Sequence, residues 1–184
     1  MSKFNNRIGI LGGSFDPPHI GHLKISKISL KKINLKKIYW VVTKKNPLKK
    51  NPFFSLNERI EKCLNIVKKN KKIHIKYIDD KIKSSKTIKI IQYLRKKNKN
   101  KKIYLIIGSD NLISFHRWFG WKKILQMCEL VVFSRKGFDR KARKSTIIRQ
   151  FKNKNIIFIK NKKIDISSTE IRKYYKKNIF NGNI

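Results

Sequence analysis

Short apolar runs and amphipathic segments alternate along the whole of this 184-residue chain, and this alternation constrains its fold more than any other feature. Runs rich in β-branched and aromatic residues are typical of buried strands, whereas apolar residues three and four positions apart are typical of helices. The predicted strands are RIGIL (7–11), KIYWVVT (37–43), KIHIKYI (72–78), KIYLIIG (102–108), LVVFSR (130–135) and NIIFIK (155–160). The predicted helices begin near His19, Ser55, Lys86, Gly120, Ala142 and Thr169. This rhythm predicts an α/β fold, a doubly wound parallel sheet with helices on both faces in three layers.

The length and composition are those of one globular domain, which we expect to span residues 1–184. No apolar run approaches the roughly 20 residues that cross a bilayer. The N-terminus runs straight into the first predicted strand without the pattern of a signal peptide. Cys63 and Cys128 are isolated in the sequence, so we expect two reduced core thiols in a cytoplasmic protein that has no membrane partner.

The chain carries 48 Lys and Arg against 10 Asp and Glu, a formal net charge of +38. A charge of this size is typical of nucleic-acid-binding proteins. Here, however, the basic residues are spread over the runs LKKINLKK, VKKNKK, LRKKNKNKK and IKNKK, which mix Lys with Asn and Ile. Codons made only of A and T encode all three residues, so a genome biased toward A and T would give the same composition. We therefore expect no nucleic-acid partner, although a basic field would attract nucleotides and make their binding sensitive to salt.

The stretch GGSFDPPHIGH (12–22) follows the first predicted strand and opens the first predicted helix. Gly12 and Gly13 would let backbone N–H groups approach a phosphate without obstruction by a Cβ atom. His19 and His22, three residues apart, would share one face at a helix N-terminus, where the helix dipole attracts anions. GSDN (108–111) also follows a predicted strand, and doubly wound sheets bind ligands at the carboxyl ends of their strands. These placements predict a nucleotide site.

Other interpretations of this stretch are weaker. Two histidines at this spacing can ligate zinc, but no further His or Cys stands at ligand spacing, so we expect no protein-held metal. The histidines could also serve only to cap the helix. The stretch is neither a Walker A loop, because no GK[ST] follows, nor a GxGxxG dinucleotide motif.

The residues of GGSFDPPHIGH resemble the GxFxPxHxGH signature of the nucleotidyltransferase superfamily. ISSTEIR (166–172) resembles the second signature of that superfamily, ISSTxxR. Between them, IIGSDNLISFHRWFGWKKIL and VVFSRKGF are similar to the corresponding stretches of bacterial nicotinate-nucleotide adenylyltransferases, and SLNERIEKCLNIV and SSKT fit the same family. The resemblance covers nearly the whole chain and implies a Rossmann-like nucleotidyltransferase fold, with a short C-terminal helix after the second signature.

This resemblance implies transfer of AMP from ATP to nicotinate mononucleotide, which gives deamido-NAD and pyrophosphate in NAD biosynthesis. The attacking phosphate is already ionised, so catalysis needs positioning and charge stabilisation rather than a protein nucleophile. Mg²⁺ would bridge the substrate phosphates, and the enzyme would be a monomer or a homodimer. The alternatives are a related nucleotidyltransferase that uses nicotinamide mononucleotide or pantetheine phosphate as acceptor, and a basic nucleic-acid-binding protein on this fold.

The resemblance also implies roles for individual residues. The catalytic residues would be His19, His22 and Arg172. ATP would be bound by Gly12, Gly13, Ser14, Phe15, Gly21, Gly108, Asp110, Arg135, Ser168 and Thr169. The mononucleotide would be bound by Thr43, Lys44, Asn46, Ser85, Lys86, Thr87 and Trp118.

Three of these sites have purely structural alternatives. Asp110 could be a helix N-cap, Trp118 could be a half-buried core residue, and Ser167 with Glu170 could form a capping box at the start of the last helix. Lys86 stands where a Tyr is common in the family, and Lys136 replaces the usual proline after Arg135.

Overall fold

Six parallel strands form the centre of the protein, as the alternating pattern predicts. The computed structural model describes residues 6–45, 51–151, 156–161 and 166–180. The strands are β1 (Arg7–Gly13), β2 (Lys37–Val42), β3 (Ile73–Lys76), β4 (Lys102–Gly108), β5 (Glu129–Phe133) and β6 (Ile156–Ile159). They are hydrogen-bonded in the order β3-β2-β1-β4-β5-β6, and every pair is parallel.

Helices fill the connections between the strands. They are α1 (Ile20–Lys32), α2 (Leu56–Val67), α3 (Asp79–Ile82), α4 (Thr87–Lys97), α5 (Ser109–Ser114), α6 (Trp121–Met127), α7 (Asp139–Arg143), α8 (Thr146–Phe151) and α9 (Ser168–Phe180). A 3₁₀ turn at Phe115–Arg117 joins α5 to the loop before α6. Within the described ranges, no helix combines the length and the apolar composition that a bilayer crossing requires.

The two faces of the sheet bury two separate apolar cores, which gives the predicted three layers. Alternate residues of a strand point to opposite faces, so Ile8 and Ile10 of β1 belong to one core while Leu11 belongs to the other. The first core packs against α4, α5, α6 and α8, and the second packs against α1 and α2. Both cores consist mainly of Ile, Leu and Val, the residue types best suited to two-sided burial in a parallel sheet.

The chain reverses its direction of winding between β1 and β4. After β1 it builds outward through β2 and β3, then returns beside β1 with β4 and continues outward through β5 and β6. Ligands of doubly wound sheets bind outside the carboxyl ends of the strands at this switch point. Gly13 closes β1 and Gly108 closes β4, so both glycine-containing stretches that the sequence singles out meet there.

The structure corrects several predicted boundaries. Gly12 and Gly13 do not follow β1 but form its last two residues, because they pair in register with Val41 and Val42 of β2. The basic helix predicted near ARKSTIIRQF is instead α7 and α8, separated at Lys144–Ser145. The backbone carbonyl of Ser145 accepts the N–H of Arg149, so the second helix starts anew at a residue type that favours helix starts. The short helices α3 and α5 were not predicted, since four and six residues are too few for a clear period.

Candidate active site

The two histidines of HIGH lie together at the start of α1. His19 is the N-cap residue, and its Nδ1 accepts a hydrogen bond from the backbone N–H of Gly21 at 3.1 Å. Nδ1 of His22 accepts the backbone N–H of His19 at 3.2 Å, which completes a capping box. The two ring centroids are 4.0 Å apart. The two histidines therefore lie together as predicted, and both take part in capping the helix.

The capping contacts determine which nitrogen of each ring carries the proton. Because Nδ1 of each ring accepts a backbone N–H, a neutral ring carries its proton on Nε2. Burial lowers the pKa of His19 to about 4, and the positive charge of Arg135 is the second cause of this shift. His19 is thus neutral at physiological pH and offers an Nε2–H donor at a helix N-terminus, where the dipole favours anions.

An aromatic pair that the sequence analysis missed supports His22. The ring of Phe15 stacks on Trp40 with centroids 5.0 Å apart and lies 5.0 Å from the ring of His22. Nε1 of Trp40 donates to Oγ of Ser26 at 2.8 Å, and that hydroxyl donates to the backbone carbonyl of His22 at 2.8 Å. Phe15 adopts a positive φ of 48° to place its ring in the core, so only its backbone remains for the predicted ATP contact.

The predicted glycines differ in how much space surrounds the position of an added Cβ atom. A Cβ atom added at Gly12 would meet no atom within 4 Å, so the backbone there is open to close approach. A Cβ atom added at Gly108 would overlap Oδ1 of Asp110, so a larger residue at this strand end would displace that carboxylate. Gly21 is buried in the first turn of α1, where it donates to His19.

Asp110 and Arg135 form an ion pair at the end of β4. Nη1 of Arg135 donates to Oδ2 of Asp110 at 2.7 Å, and its backbone N–H donates to Oγ of Ser109 at 3.0 Å. Oδ1 of Asp110 is buried and has no hydrogen-bond partner among the described residues. The capping interpretation of Asp110 is wrong, because Gly108 is the N-cap of α5 and no side chain caps that helix. An unpaired buried carboxylate oxygen is a ready acceptor for a ligand hydroxyl.

Helix α9 brings the second motif onto the first. Oγ of Ser168 donates to the backbone carbonyl of Pro17 at 2.8 Å, although 151 positions separate the two residues. The guanidinium of Arg172 donates to the backbone carbonyl of Asp16 and lies 3.6 Å from the carboxylate of Asp16. Its other nitrogen donates to Oγ1 of Thr169 at 3.1 Å. The structure thus brings the predicted catalytic residues of both motifs to one loop.

The start of α9 is capped as the sequence predicts. Oγ of Ser167 accepts the backbone N–H of Glu170 at 3.2 Å and donates to the carboxylate of Glu170 at 2.8 Å. The same carboxylate raises the pKa of His19, although burial and Arg135 outweigh it. Capping and proximity to His19 therefore coexist at this helix start.

Asp16, which the sequence analysis did not single out, organises the loop between β1 and α1. It is 5% exposed, and its two carboxylate oxygens accept the backbone N–H groups of Phe53 and Phe54, each at 2.9 Å. Together with Arg172, this carboxylate joins three segments that are far apart in the sequence. Its only local signal was its position inside the first motif.

Arg59 is the second positioning residue that was missed. It lies on α2 and is 1% exposed, yet among the described residues no carboxylate is in hydrogen-bond contact with it. Its guanidinium donates to the backbone carbonyls of Ser14 at 2.6 Å, Thr43 at 2.8 Å and Lys44 at 3.1 Å, and also to Phe54. One side chain therefore ties the loop after β1 to the loop after β2. An arginine on the apolar side of a predicted helix was the available signal.

The loop after β2, α3 and the residues that join α3 to α4 line a pocket of about 360 Å³. Its lining residues are Lys44, Lys45, Asp79, Asp80, Lys83, Ser84 and Ser85. Asp79 holds the loop through a hydrogen bond from the backbone N–H of Lys44 at 2.9 Å, and burial raises the pKa of its carboxyl. Of the predicted mononucleotide residues, Lys44 and Ser85 line this pocket, while Thr43 is buried beside it. Asn46 lies outside the described residues.

The remaining mononucleotide candidates lie where α4 meets the loop before α6. Nζ of Lys86 lies 4.0 Å from the ring centroid of the exposed Phe119, and Lys86 directly precedes the first residue of α4, Thr87. Trp118 is half-buried, packs against the first core and lies 4.9 Å from the ring of Phe115. Trp118 does not line the 360 Å³ pocket. Its packing confirms that it is a half-buried residue at the edge of the first core.

The fold and the site together define a Rossmann-like nucleotide-binding protein with anion-binding groups at the switch point of its sheet. Residues 10–174 match the family model described as cytidylyltransferase-like. The chain is 44% identical over 173 residues, 94% of this chain and 96% of the relative, to the Pelagibacter ubique (strain HTCC1062) protein named "Probable nicotinate-nucleotide adenylyltransferase". A protein of the same name from Ruegeria sp. (strain TM1040) is 35% identical over 149 residues, 81% of this chain and 78% of the relative.

A solved structure agrees with this assignment at the level of the fold. The Plasmodium falciparum nicotinic acid mononucleotide adenylyltransferase complexed with NaAD superposes with a TM-score of 0.76 at 21% identity, over 92% of this chain and 84% of that one. The chain therefore belongs to the cytidylyltransferase-like family, within which it groups with the nicotinate-nucleotide adenylyltransferases. The resemblance inferred from the sequence motifs is confirmed.

Proposed function

We propose that this protein transfers AMP from ATP to nicotinate mononucleotide, which yields deamido-NAD and pyrophosphate. The observation that carries the proposal is the contact of both phosphate motifs with one loop. HIGH begins directly after this loop, and Ser168 and Arg172 bind the backbone carbonyls of Pro17 and Asp16 within it. Converging donors from two helix N-termini at a sheet switch point suit a polyphosphate.

The reaction needs no protein nucleophile. A phosphate oxygen of the mononucleotide forms a bond to the α-phosphorus of ATP as the bond from that phosphorus to the bridging oxygen of pyrophosphate breaks. We assign His19 and His22 to the triphosphate as Nε2–H donors, with His22 nearest the α-phosphate. Charge on the transferred phosphoryl group and the departing pyrophosphate grows in the transition state, so fixed donors there lower the barrier.

We assign Ser168, Thr169 and Arg172 to the β- and γ-phosphates. The hydroxyl of Thr169 already contacts the guanidinium of Arg172, so the two donors act as one unit at the start of α9. We assign the free oxygen of Asp110 to the adenosine ribose, with Arg135 on the adenine side. We assign the backbone of Gly12 to Phe15, at the end of β1, to the ATP site between these groups.

Mg²⁺ enters with ATP as part of the substrate in this proposal. No group of three or more His, Cys, Asp or Glu side chains able to hold a metal occurs among the described residues. The carboxylate of Asp16 already accepts two backbone N–H groups and lies beside Arg172. Held by phosphate oxygens, the ion neutralises part of their charge.

The pocket of Lys44 and Ser85 is the candidate site for the mononucleotide. Its lining lysines, Lys44, Lys45 and Lys83, offer cationic donors to the anionic groups of the mononucleotide. Ser84 and Ser85 offer neutral donors beside the carboxylates of Asp79 and Asp80. Lys86 adds a cation near this edge, which favours a nicotinate carboxylate over a neutral amide. We further propose one domain over residues 1–184, a monomer or homodimer, working in the cytoplasm, where the free thiols of Cys63 and Cys128 stay reduced.

The test is pyrophosphate release from ATP and Mg²⁺ with three acceptors in parallel: nicotinate mononucleotide, nicotinamide mononucleotide and pantetheine phosphate. We expect turnover with the first to exceed turnover with the other two by at least about tenfold, which is about 1.4 kcal/mol of discrimination. Equal turnover with both pyridine acceptors would keep the reaction but overturn the assigned selectivity. If the folded protein turned over neither nicotinate mononucleotide nor nicotinamide mononucleotide, the proposed function would be overturned.

A further inference from the structure

Three lysine runs that are separate in the sequence meet at one edge of the sheet. LKKINLKK (30–37) joins α1 to β2, KKNKK (68–72) joins α2 to β3, and RKKNKNKK (95–102) joins α4 to β4. In a parallel α/β sheet, each helix returns the chain to the edge where the strands begin. The strand order places β3, β2, β1 and β4 side by side, so the three runs are neighbours. We call these three ranges the basic edge; it lies opposite the candidate active site.

Backbone contacts confirm that the runs adjoin one another. The N–H of Ile38 donates to the carbonyl of Lys72 at 2.8 Å, which joins the second run to the first. Arg7 pairs in register with Lys102 in the third run, and its guanidinium donates to the carbonyl of Ile33 in the first run at 3.2 Å. The basic edge is therefore one continuous surface.

The charge of this surface is almost wholly positive. The three runs contain fourteen Lys and Arg and no Asp or Glu. Twelve of these fourteen side chains are exposed: Lys31, Lys32, Lys36, Lys68, Lys69, Lys71, Lys72, Arg95, Lys96, Lys97, Lys99 and Lys102. Glu129 at the start of β5 lies at the same edge, and it pairs with Lys102.

The acids, by contrast, gather at the other edge. Six of the chain's ten Asp and Glu lie in loops or first helical turns after strand carboxyl ends: Asp16, Asp79, Asp80, Asp110, Asp139 and Glu170. A genome bias toward Lys and Asn accounts for the number of lysines but not for this separation of charges. The separation concentrates positive potential on the face that the candidate active site does not use.

The basic edge also has a recess and neutral donors. A pocket of about 490 Å³ is lined by Arg95, Asn98, Lys99, Asn100 and Lys101. Asn34 and Asn100 adopt positive φ angles of 52° and 60° in the turns that follow α1 and α4, which presents amides among the lysines. Amide N–H groups and ammonium groups are the donors that proteins use on phosphate and sugar oxygens.

We propose that the basic edge binds the phosphate backbone of nucleic acid without sequence preference. Three strand spacings of about 4.8 Å make a row roughly 14 Å long, a length over which the two strands of a duplex together carry about eight phosphates. The exposed large apolar side chains of the described residues are Ile20, Phe53, Leu64, Phe119, Phe138 and Tyr174, and none lies in the basic edge. A lipid surface would be favoured by apolar insertion, which this face does not offer.

This inference differs from the expectation drawn from the sequence, where the lysines are dispersed. Dispersal along the chain is not dispersal in space, because the α/β connectivity brings every second connection to the same edge. The inference does not depend on the proposed transfer reaction, since the two faces are opposite.

Fluorescence anisotropy tests it with three probes: a labelled single-stranded RNA of about 20 nucleotides, a DNA duplex of equal length, and vesicles with and without anionic lipid. We expect both nucleic acids to bind, with affinity falling roughly a thousandfold between about 50 and 200 mM salt if six or more phosphates are contacted. Binding to anionic vesicles but to neither nucleic acid would overturn the proposal. Similar Kd values for RNA and DNA would support backbone recognition.

Two charge-matched variants locate the binding. The edge variant combines Lys31→Gln, Lys36→Gln, Lys69→Gln, Lys71→Gln, Lys96→Gln and Lys99→Gln. The control variant removes six charges elsewhere: Lys24→Gln, Lys27→Gln, Lys123→Gln, Lys141→Gln, Lys144→Gln and Lys173→Gln, all exposed. We expect the edge variant to lose at least about a hundredfold in affinity and to show a shallower salt dependence, with less than about tenfold loss in the control.

Equal losses in the two variants would show a diffuse charge effect and would overturn the proposal. Pyrophosphate release by the edge variant at the wild-type rate would show that it is folded and that the two faces work separately. Should the six substitutions prevent folding, the three pairs made separately, one per run, give the same comparison with smaller losses.

Discussion

At the scale of single residues, the site depends on how two imidazole rings are oriented. Nδ1 of His19 and of His22 each accepts a backbone N–H, which fixes the orientation of both rings and leaves the proton of a neutral ring on Nε2. The rings of Phe15 and Trp40 pack against the ring of His22 and help to hold its orientation. A donor held this firmly needs no reorganisation when charge develops on a phosphate.

Replacing His22 with Ala tests its role at the α-phosphate. We expect kcat to fall by a factor on the order of 10² or more, with the fold intact by circular dichroism, because one preorganised donor to the transition state is lost. His74→Ala, at an exposed position on β3, is the matched control. Wild-type turnover by the His22 variant would contradict the assigned role.

The lowered pKa of His19 predicts a pH dependence of stability. With a folded-state pKa of about 4 and an ordinary value of 6.5, the unfolded chain takes up this proton first as the pH falls. The free energy of unfolding should therefore decrease from about pH 6.5 down to about pH 4. Urea unfolding across this range measures it. His19→Asn, which keeps a capping acceptor, should show a smaller decrease, and identical slopes in both proteins would contradict the prediction.

Replacing Trp118 distinguishes a role in substrate binding from a role in core packing alone. Trp118→Ala should raise the KM of the mononucleotide more than the KM of ATP, because Trp118 directly precedes Phe119, whose ring contacts Lys86 beside the proposed acceptor pocket. Steady-state kinetics with each substrate varied in turn gives both values. Equal changes in the two KM values would mean that Trp118 serves only the core.

At the scale of elements, the site exists because side chains hold loops against one another. Arg59 on α2 joins the loops after β1 and β2, and Asp16 joins the first loop to residues 53–54 and to α9. These are contacts between polar side chains and backbone groups in buried surroundings. Each one left unmade costs roughly 1–3 kcal/mol, so the loops have one well-defined arrangement.

Arg59→Met should lower the free energy of unfolding by about 3 kcal/mol or more, because several buried carbonyls lose their donor. The folded fraction should also lose at least about tenfold in kcat/KM, since the loops at Ser14 and Lys44 are released. Urea unfolding and steady-state kinetics measure the two effects. Arg140→Met, at an exposed position of α7, is the control and should change neither by a measurable amount.

At the scale of the whole molecule, the fold places the candidate active site and the basic edge at opposite ends of the strands and buries both cysteines in the cores. Cys63 and Cys128 illustrate this burial, with 0% and 6% of their surface exposed in the two different cores. Burial raises the pKa of both thiols to about 12. The predicted reduced core thiols are confirmed as free and buried.

Both thiols should therefore resist a disulfide reagent such as DTNB in the native protein near neutral pH, where almost no thiolate is present. After denaturation in guanidinium chloride, two thiols per chain should react at once. Absorbance of the released thiolate measures both rates. Fast reaction of the native protein would mean that one of the cores opens readily.

The sequence by itself determined what depends on local pattern. The order of strands and helices follows from periodicity, and the capping box of Ser55 and Glu58 lies where the residues predict it. The residues of the two motifs could be found from the sequence, because their glycines, histidines and hydroxyl groups lie close together in two short segments. The division of the predicted basic helix into α7 and α8 was not predicted, because a two-residue break hardly changes the apolar period.

Only the tertiary structure decided what joins distant segments. Asp16, Trp40 and Arg59 act through partners 14 to 156 positions away, and no local period records such pairs. The three lysine runs became one surface for the same reason. A parallel sheet returns the chain to the same edge after each helix, so residues that are far apart in the sequence lie side by side in space.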